Sequence, residues 1–344
     1  MSQDWVLVTW DYPPVKGGVA RYLADLVEAS KGMMRVMIPP STQRRWWSLI
    51  SVLRRLLQDE KTRVFISHIL PIGTAAWIAS WLVGARRGEY IILFHGLDLR
   101  VSQRSWIRRW LTQRIVRSAR AVCVNSVFVA GECIRIFPWV KPILLTPGYT
   151  PRVLPERVAA RQILGLQDNE VILLNVARLV SRKGLDRLIE VLPELSSHLR
   201  AVSIGEGPDR ARLEGLAKAN QARITFLGAA DDTIRDLWYA AADIFVFPVR
   251  DEGPDVEGYG IVCLEAAAAG LPVIVGMGGG APETVVSEET GLVVDAMNPV
   301  LLRRAIERLA SDPVLRHAMG ERGRMRALAN SDWATRWQTL AELA

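Results

Sequence analysis

The chain has 344 residues, 50% of them hydrophobic, and this length exceeds what one hydrophobic core usually serves, so we expect two globular domains. Its three cysteines, Cys123, Cys133 and Cys263, show no metal-ligand spacing, which excludes a disulfide framework and favours a reducing, cytoplasmic compartment. Residues 1–150 carry 21 Lys and Arg against 9 Asp and Glu, a net charge of +12, together with nine of the 12 Trp. We therefore expect this half to face an anionic partner.

Neither the start of the chain nor its longest apolar stretch reads as a membrane or secretion signal. Residues 1–14 lack the basic region and the long apolar region of a secretion signal. The longest apolar stretch, 72–85, has about 14 residues, whereas a bilayer span needs roughly 20. It predicts a buried helix.

Short apolar runs alternate with helical patterns along the whole chain, which is typical of parallel sheets with crossover helices. Strands are predicted first at 5–10, 64–70, 90–95, 121–125 and 143–146, and then at 171–176, 202–204, 224–227, 244–248, 273–275 and 292–294. The fold class is therefore α/β, with two doubly wound units in series. Ligands of such sheets bind beyond the carboxyl ends of the strands, so the loops after strands are the candidate sites.

A Pro-rich passage near 146–160 separates the two series of strands. It is interpreted as an interdomain hinge, with a surface loop inside one domain as the alternative. The expected domains are 1–150 and 151–331.

The first candidate segment follows the first strand. Gly17 and Gly18 stand where a helix opens, and adjacent glycines let the backbone pass close to a ligand while the free N–H groups favour an anion. An ordinary tight strand-to-helix turn explains the pair equally well.

The second segment follows the strand at 171–176. Arg178 leaves the strand end and Lys183 stands at the next helix mouth, so both cations can converge on one diphosphate. The alternative is a solvated basic loop, but cations near a positive helix end are disfavoured unless an anion is present.

The third segment, 253–266, follows the strand at 244–248. The N–H groups of Gly260, Ile261 and Val262 form an uncapped helix start suited to phosphate. Glu257 and Glu265 lie on either side of that start, and their expected task is to accept hydrogen bonds from sugar hydroxyls. Alternatively, Glu257 caps the helix and Glu265 is a surface residue.

Weaker signals lie elsewhere. His95 is delivered by a strand into a loop, although a lone His is more often structural. Gly205, in the run Gly205-Glu206-Gly207, belongs to a turn that would let a donor approach the backbone, and the run lacks the third glycine of a dinucleotide fingerprint. No cluster has metal-ligand spacing, so no metal site is expected.

Taken together, these segments resemble the retaining glycosyltransferases of family 4, which have the GT-B fold of two facing Rossmann-like domains with the active site in the cleft between them. The ordered set covers nearly the whole chain and includes the E-x7-E spacing of Glu257 and Glu265 and the glycines at 278–280. Residues 255–285 most resemble the mycobacterial-type α-mannosyltransferases that use GDP-mannose to extend phosphatidylinositol mannosides. The loop 250–253 departs from those relatives because it is less glycine-rich.

The resemblance implies a role for each matching residue. Arg178 and Lys183 would hold the diphosphate, Glu265 the ribose and Glu257 the donor sugar, while His95 would touch the sugar near its reacting carbon. Gly17 and Gly18 would let the N-terminal domain close on the donor, Ala230 to Asp232 would read the base, and the tail 332–344 would return to the N-terminal domain. No cofactor or metal is implied beyond the nucleotide sugar. The anomeric configuration would be retained, with the leaving diphosphate helping to deprotonate the acceptor hydroxyl.

The expected acceptor is a lipid-linked or polysaccharide-precursor molecule at the inner face of the cytoplasmic membrane. Residues 43–57 and 104–111 mix Trp and Leu with Arg at helical spacing, the composition of a helix lying among anionic headgroups. Ordinary amphipathic helices packed on the core are the alternative.

Three other functions fit parts of the sequence. A UDP-sugar-dependent member of the same family would keep every phosphate and ribose contact. A nucleotide-sugar epimerase on a similar fold would need no acceptor or membrane face. A nucleic-acid-binding protein would explain the basic half, but no recognised nucleic-acid motif occurs, so no nucleic-acid partner is expected.

Overall fold

The computed structural model describes residues 4–39, 43–84, 89–253, 255–329 and 332–343. The chain forms two compact units, Met1–Gly148 with Asp332–Ala344, and Tyr149–Ser331. We call them unit 1 and unit 2. The division falls within the Pro-rich passage.

Unit 1 is built on a six-stranded sheet with helices in its connections. Its strands are β1 (Asp4–Val8), β2 (Met34–Met37), β3 (Thr62–Ile66), β4 (Tyr90–Phe94), β5 (Ala121–Val124) and β6 (Ile143–Leu144). All pairs are parallel, in the order β2-β1-β3-β4-β5-β6. The helices are α1 (Gly18–Ala29), α2 (Leu49–Gln58), α3 (Thr74–Val83), α4 (Leu97–Ser102), α5 (Trp106–Arg117) and α6 (Val127–Ile136).

Unit 2 repeats this architecture. Its strands are β7 (Val171–Val176), β8 (Leu199–Ile204), β9 (Ile224–Gly228), β10 (Ile244–Phe247), β11 (Val273–Gly276) and β12 (Gly291–Val294). They pair in parallel in the order β12-β11-β10-β7-β8-β9. The helices are α7 (Arg157–Ile163), α8 (Leu185–Val191), α9 (Arg210–Ala219), α10 (Asp232–Ala241), α11 (Ile261–Ala268), α12 (Pro299–Ser311) and α13 (Pro313–Ala329).

The strands are almost wholly apolar because helices cover both faces of each sheet. Every residue of β4, β7 and β10 is buried. The predicted α/β class with two doubly wound units is confirmed.

The last helix, α14 (Trp333–Ala341), belongs to unit 1. The side chain of Asp332 caps it by accepting from the N–H of Ala334 at 2.8 Å. Trp337 is buried, and its ring meets that of Trp5 on β1 edge to face, with centroids 5.5 Å apart. The apolar side of this short helix therefore packs against the sheet of unit 1.

Three expectations about elements need correction. The edge strand β2 was not predicted, since it is short and carries the exposed Arg35. The strand expected at 64–70 ends at Ile66, so Ser67 and His68 lie in a loop. The helix expected to be buried, α3, leaves Trp81 77% exposed, because only one face of it packs on the core. No helix in the described part of the chain is long and apolar enough to cross a membrane.

Candidate functional site

The order of strands in each sheet reverses once, and this switch point is where ligands of doubly wound folds bind. In unit 2 the reversal lies between β7 and β10. The loop after β7 carries Arg178 and Lys183, and the loop after β10 carries Glu257. The local sequence and the strand order therefore select the same place.

A shared ion pair joins the two loops. Lys183 Nζ and Arg182 Nη1 both bond to Glu257 Oε2, and Lys183 also stands 4.7 Å from the ring centroid of Phe247 at the end of β10. The side chains of Lys183 and Glu257 are each 12% exposed. Burial acts to raise the pKa of Glu257, but the charges of Lys183 and Arg182 outweigh it and hold that pKa below its usual value. Glu257 is thus a carboxylate at neutral pH.

Arg178 differs from Lys183 in being exposed. Its guanidinium forms no hydrogen bond or ion pair with any described residue. It is therefore available to an external anion.

The loop that carries Arg178 is held by the turn after β8. The N–H of Leu179 donates to the carbonyl of Glu206 at 2.9 Å, and the N–H of Asp209 donates to the carbonyl of Leu179 at 3.1 Å. A Cβ on Gly205 would collide with the carbonyl oxygen of Ala177, so only glycine permits this approach. Sequence analysis assigned Gly205 to a donor contact, and the structure gives it a packing reason.

Arg250, just beyond β10, joins its own loop to the loop after β7 and to the start of α8. Its guanidinium donates to Asp186 Oδ1 at 2.8 Å and Oδ2 at 3.1 Å, and to Ser181 Oγ at 2.8 Å. Its N–H donates to the carbonyl of Arg182 at 2.9 Å. Sequence analysis missed this role, because Asp186 is 64 positions away and nothing in the local sequence pairs them.

The glycines after β11 seat the Glu257 segment. The N–H of Gly280 donates to the carbonyl of Glu257 at 2.9 Å, and the N–H of Gly279 donates to Asp251 Oδ1, also at 2.9 Å. Gly279 has a positive φ of 57°, and a Cβ there would collide with the carbonyl of Glu257. Pro254, which belongs to the candidate segment 253–266, lies outside the described residues.

The helix start that follows is open, as predicted. Gly260 caps α11 without any side-chain hydrogen bond, and Ile261 and Val262 form the first turn. Glu257 does not cap this helix, so that alternative is wrong.

Glu265 is buried inside α11, which excludes the alternative of a surface residue. Tyr239 donates its hydroxyl to Glu265 Oε2 at 2.9 Å. The other oxygen, Oε1, lies 3.9 Å from Arg152 Nη2 and 3.8 Å from Arg235 Nη2. Two cations therefore compensate this buried carboxylate.

The segment expected to read a base begins α10. Ala230 is half-buried against the core, whereas Asp232 is exposed and lies 3.0 Å from Arg235 Nη2. Arg235 thus links Asp232 to Glu265.

In unit 1 the corresponding switch point lies between β1 and β3. Gly17 and Gly18 at the start of α1 are exposed, and a Cβ on Gly17 would meet only open space. Packing within the chain therefore does not require glycine at position 17, but its φ of 158° is one that residues with a side chain rarely adopt.

His95 directly follows β4, and both of its ring nitrogens are shut off from solvent and lack a hydrogen-bond partner in the described structure. Burial, assisted by His68 and opposed by Asp11, lowers the pKa of His95 to about 3. The ring is neutral at physiological pH.

Sequence analysis missed the contact between His68 and Asp11, at the same edge of the unit 1 sheet. His68 Nε2 lies 3.2 Å from Asp11 Oδ2, and the hydrogen bond from His68 is the main reason that the pKa of Asp11 is lowered. Asp11 directly follows the first strand, and this position could have identified it from the sequence. His68 could not be identified in this way, because the strand predicted at 64–70 included it.

The structure thus brings Lys183, Glu257, the start of α11 and the loop of Arg178 to one edge of unit 2. Gly205, Ala230, Asp232 and Glu265 stand along the same carboxyl side, whereas Gly17, Gly18 and His95 belong to unit 1. Within the described ranges, no group of three His, Cys, Asp or Glu is placed to hold a metal ion.

Two family models match the chain. The one described as glycosyl transferases group 1 matches residues 156–326, and the one described as glycosyl transferase 4-like domain matches residues 4–148. The two matches correspond to unit 2 and unit 1.

The chain is also similar to characterised proteins over nearly its whole length. It is 32% identical to the GDP-mannose-dependent alpha-(1-6)-phosphatidylinositol monomannoside mannosyltransferase of Mycolicibacterium smegmatis, over 98% of this chain and 97% of that protein. It is 39% identical to the GDP-mannose-dependent monoacylated alpha-(1-6)-phosphatidylinositol monomannoside mannosyltransferase of Corynebacterium glutamicum, over 99% and 96%.

Solved structures share the fold at lower identity. Sucrose-phosphate synthase from Thermosynechococcus elongatus superposes with a TM-score of 0.82 at 22% identity, covering 99% of this chain and 98% of that one. Anabaena HepE in complex with UDP-glucose gives 0.82 at 19% identity, covering 98% of both.

Proposed function

Because this chain belongs to the glycosyl transferases group 1 family, we propose that it is a retaining α-mannosyltransferase which moves mannose from GDP-mannose onto a membrane-associated glycolipid. The proposal is supported above all by one arrangement. Lys183 and Arg182 converge on Glu257 beside an open helix start, at the switch point of unit 2. Cations and free N–H groups suit a diphosphate, and a carboxylate suits sugar hydroxyls.

Each step of the reaction has a candidate group. The acceptor oxygen bonds to C1 of mannose on the face from which the diphosphate departs, and the diphosphate takes the proton of the acceptor hydroxyl. Arg178, Lys183 and the N–H groups of Ile261 and Val262 would stabilise the charge that develops on the diphosphate. The enzyme's contribution is then electrostatic preorganisation.

The other contacts orient the donor. Glu257 would bind the mannose and Glu265 the ribose. The base would lie at Ala230 to Asp232. The ring nitrogens of the neutral His95 have no partner in the described structure, and they would bond a sugar hydroxyl once donor binding exposes them.

GDP-mannose is favoured because the full-length relatives named above use it. A UDP-sugar is the competing donor, since HepE shares the fold and was solved with UDP-glucose. At 19% identity that likeness shows the fold alone.

A binding screen separates the two donors. Thermal unfolding is followed with GDP-mannose, GDP, UDP-glucose and UDP at equal concentrations. A ligand at 100 times its Kd should stabilise the fold by about 2.7 kcal/mol. We expect GDP and GDP-mannose to raise Tm and the uridine compounds to leave it unchanged; the reverse pattern would refute the proposed donor.

For the acceptor, an anionic membrane surface is proposed as the docking partner of unit 1. At the start of α5, Trp106, Ile107 and Trp110 are exposed beside Arg108 and Arg109. Such a mixture suits the headgroup layer at the inner face of the cytoplasmic membrane.

Two further helices bear on this surface. Trp81 on α3 is also exposed, and Trp77 of the same helix contacts Trp110 with ring centroids 6.0 Å apart. In α2, by contrast, Leu49, Leu53 and Leu57 are buried in the core. The apolar face of α2 therefore packs inside unit 1, whereas Trp47, just before this helix, is 62% exposed. We assign the proposed membrane contact to α5.

A further inference from the structure

Glu257 is shared by two cations whose other partners differ. Lys183 and Arg182 bond to the same oxygen of Glu257. Arg182 also places Nε 2.8 Å from Asp255 Oδ1, an ion-pair contact without hydrogen-bond geometry, whereas Lys183 has no second carboxylate among the described residues. One cation is therefore anchored twice and the other once.

This difference matters when the donor binds. A diphosphate that attracts the ammonium of Lys183 weakens its bond to Glu257. If no second cation remained beside it, the buried carboxylate would be destabilised and would take up a proton. A protonated Glu257 would accept fewer hydrogen bonds from the donor sugar.

We propose that Arg182 keeps Glu257 ionised and in place while Lys183 engages the diphosphate of the donor. The inference depends on the proposed function, because it assigns Lys183 to the diphosphate. The planar fork of an arginine suits the task, since one nitrogen can stay on Asp255 while another holds Glu257. Arg182 is thus a positioning residue that acts on the donor through Glu257.

Few other charged or titratable groups surround Glu257. Arg182 and Lys183 come from the loop after β7, and Asp255 precedes Glu257 in its own loop. Cys263 on α11 is buried, and burial raises the pKa of its thiol, so it carries no charge at neutral pH. The loop after β11 contributes only backbone, through Gly279 and Gly280.

The pH dependence of transfer tests the inference. Without Arg182 the pKa of Glu257 in the donor complex rises, so the carboxylate is lost at a higher pH. The acidic limb of kcat, which reports the groups of that complex, therefore moves upward. An opposite charge in contact lowers a carboxyl pKa by 1–3 units, so Arg182→Gln should shift the limb by about one pH unit or more. Arg182→Lys restores the charge without the fork and should give a smaller shift.

Arg187→Gln is the matched control. Arg187 lies four residues from Lys183 on α8, is half-buried, and pairs with Glu190 at 2.8 Å instead of Glu257. The Arg187→Gln variant should keep the pH profile of the wild type. Thermal unfolding of every variant separates a local effect from loss of fold, and if Arg182→Gln does not fold, the Arg182→Lys profile decides.

The outcomes distinguish the two proposals. Turnover of GDP-mannose by the wild type, with an unshifted limb in folded Arg182 variants, overturns the role of Arg182 alone. An equal shift in Arg187→Gln also overturns it, because the effect would then be general. Absence of GDP-mannose turnover by the wild type overturns the proposed function and this inference with it.

Discussion

Arg178 and Lys183 carry the same charge in surroundings that differ. Lys183 is bonded to Glu257 and packed on Phe247, so its position is set before any ligand arrives. Arg178 is exposed and has no partner in the described structure. A cation without an internal partner can move to meet charge that develops on a leaving group, which distinguishes the two at the scale of single residues.

Arg178→Ala should therefore impair chemistry without impairing the fold. Loss of one such donor costs on the order of 100- to 1000-fold in kcat. Transfer from GDP-mannose is measured alongside Arg308→Ala, which removes an exposed arginine of α12 that is paired with Glu288. A fall below about threefold in the Arg178 variant would remove its assignment to the leaving group.

His95 makes a prediction about stability. Its pKa is about 3 when folded, against a usual 6.5, so the unfolded chain binds more protons between these values. Stability is thus lost as pH falls from about 6.5 towards 3, at about 1.4 kcal/mol per pH unit from this residue.

Urea unfolding between pH 7 and pH 5 tests the effect, because His95→Phe should flatten the pH dependence. His198→Phe, which replaces an exposed histidine, should leave it unchanged. If wild type and His95→Phe lose stability in parallel as the pH falls, the histidine is not buried as described.

At the scale of elements, the site depends on two loops that follow neighbouring strands. β7 and β10 pair in parallel, so their carboxyl ends meet at one edge. Arg250 then joins the loops through Asp186 and Ser181. The turn that bears Lys183 is thus held from outside by a different loop.

Arg250→Ala should cost both stability and donor binding. It removes the bidentate partner of the buried Asp186, and such a loss costs about 3–5 kcal/mol of unfolding free energy. Replacing both partners, Arg250→Met with Asp186→Leu, should recover most of that stability. The KM for the donor should stay raised in the double variant, because the turn has lost its anchor.

Unfolding and KM are measured together for this pair. Recovery of donor affinity in the double variant would show that the ion pair stabilises the fold without positioning Lys183. The single variant Asp186→Leu completes the cycle.

At the scale of the whole molecule, charge is divided unevenly. Residues 1–150 carry +12 and the rest carry −5. The exposed tryptophans of α3 and α5 lie in the basic part. An anionic surface would therefore attract one unit more than the other.

Vesicle sedimentation measures this attraction. The protein should bind vesicles that contain phosphatidylglycerol and not neutral ones, with weaker binding at high salt. Arg108→Gln with Arg109→Gln should weaken binding by about 2 kcal/mol, since each basic residue near the surface contributes about 1 kcal/mol.

Arg304→Gln with Arg308→Gln on α12 makes the same change of charge in unit 2 and should have little effect. Equal binding of the wild-type protein to anionic and neutral vesicles would contradict the proposed membrane face.

Much of the fold and part of the site could be predicted from the sequence. Apolar runs bounded by turns predicted the buried strands, and β7 was placed at its observed bounds. β2 was not predicted, because an edge strand buries few residues and so gives only a weak hydrophobic pattern in the sequence. The open start of α11 was also predictable, since Gly258 and Gly260 precede a helix without a capping side chain.

What the sequence by itself determined is therefore the architecture and the residue types at the strand ends, because burial period and turn chemistry are local. Only the tertiary structure decided which of those residues meet. Glu257 is shared by Lys183 and Arg182, and Arg250 bonds to Asp186; both contacts join positions far apart in the chain. The burial of Glu265 likewise depends on partners distant in the sequence. Local pattern carries no information about such partners, since the order of strands in the sheet sets their proximity.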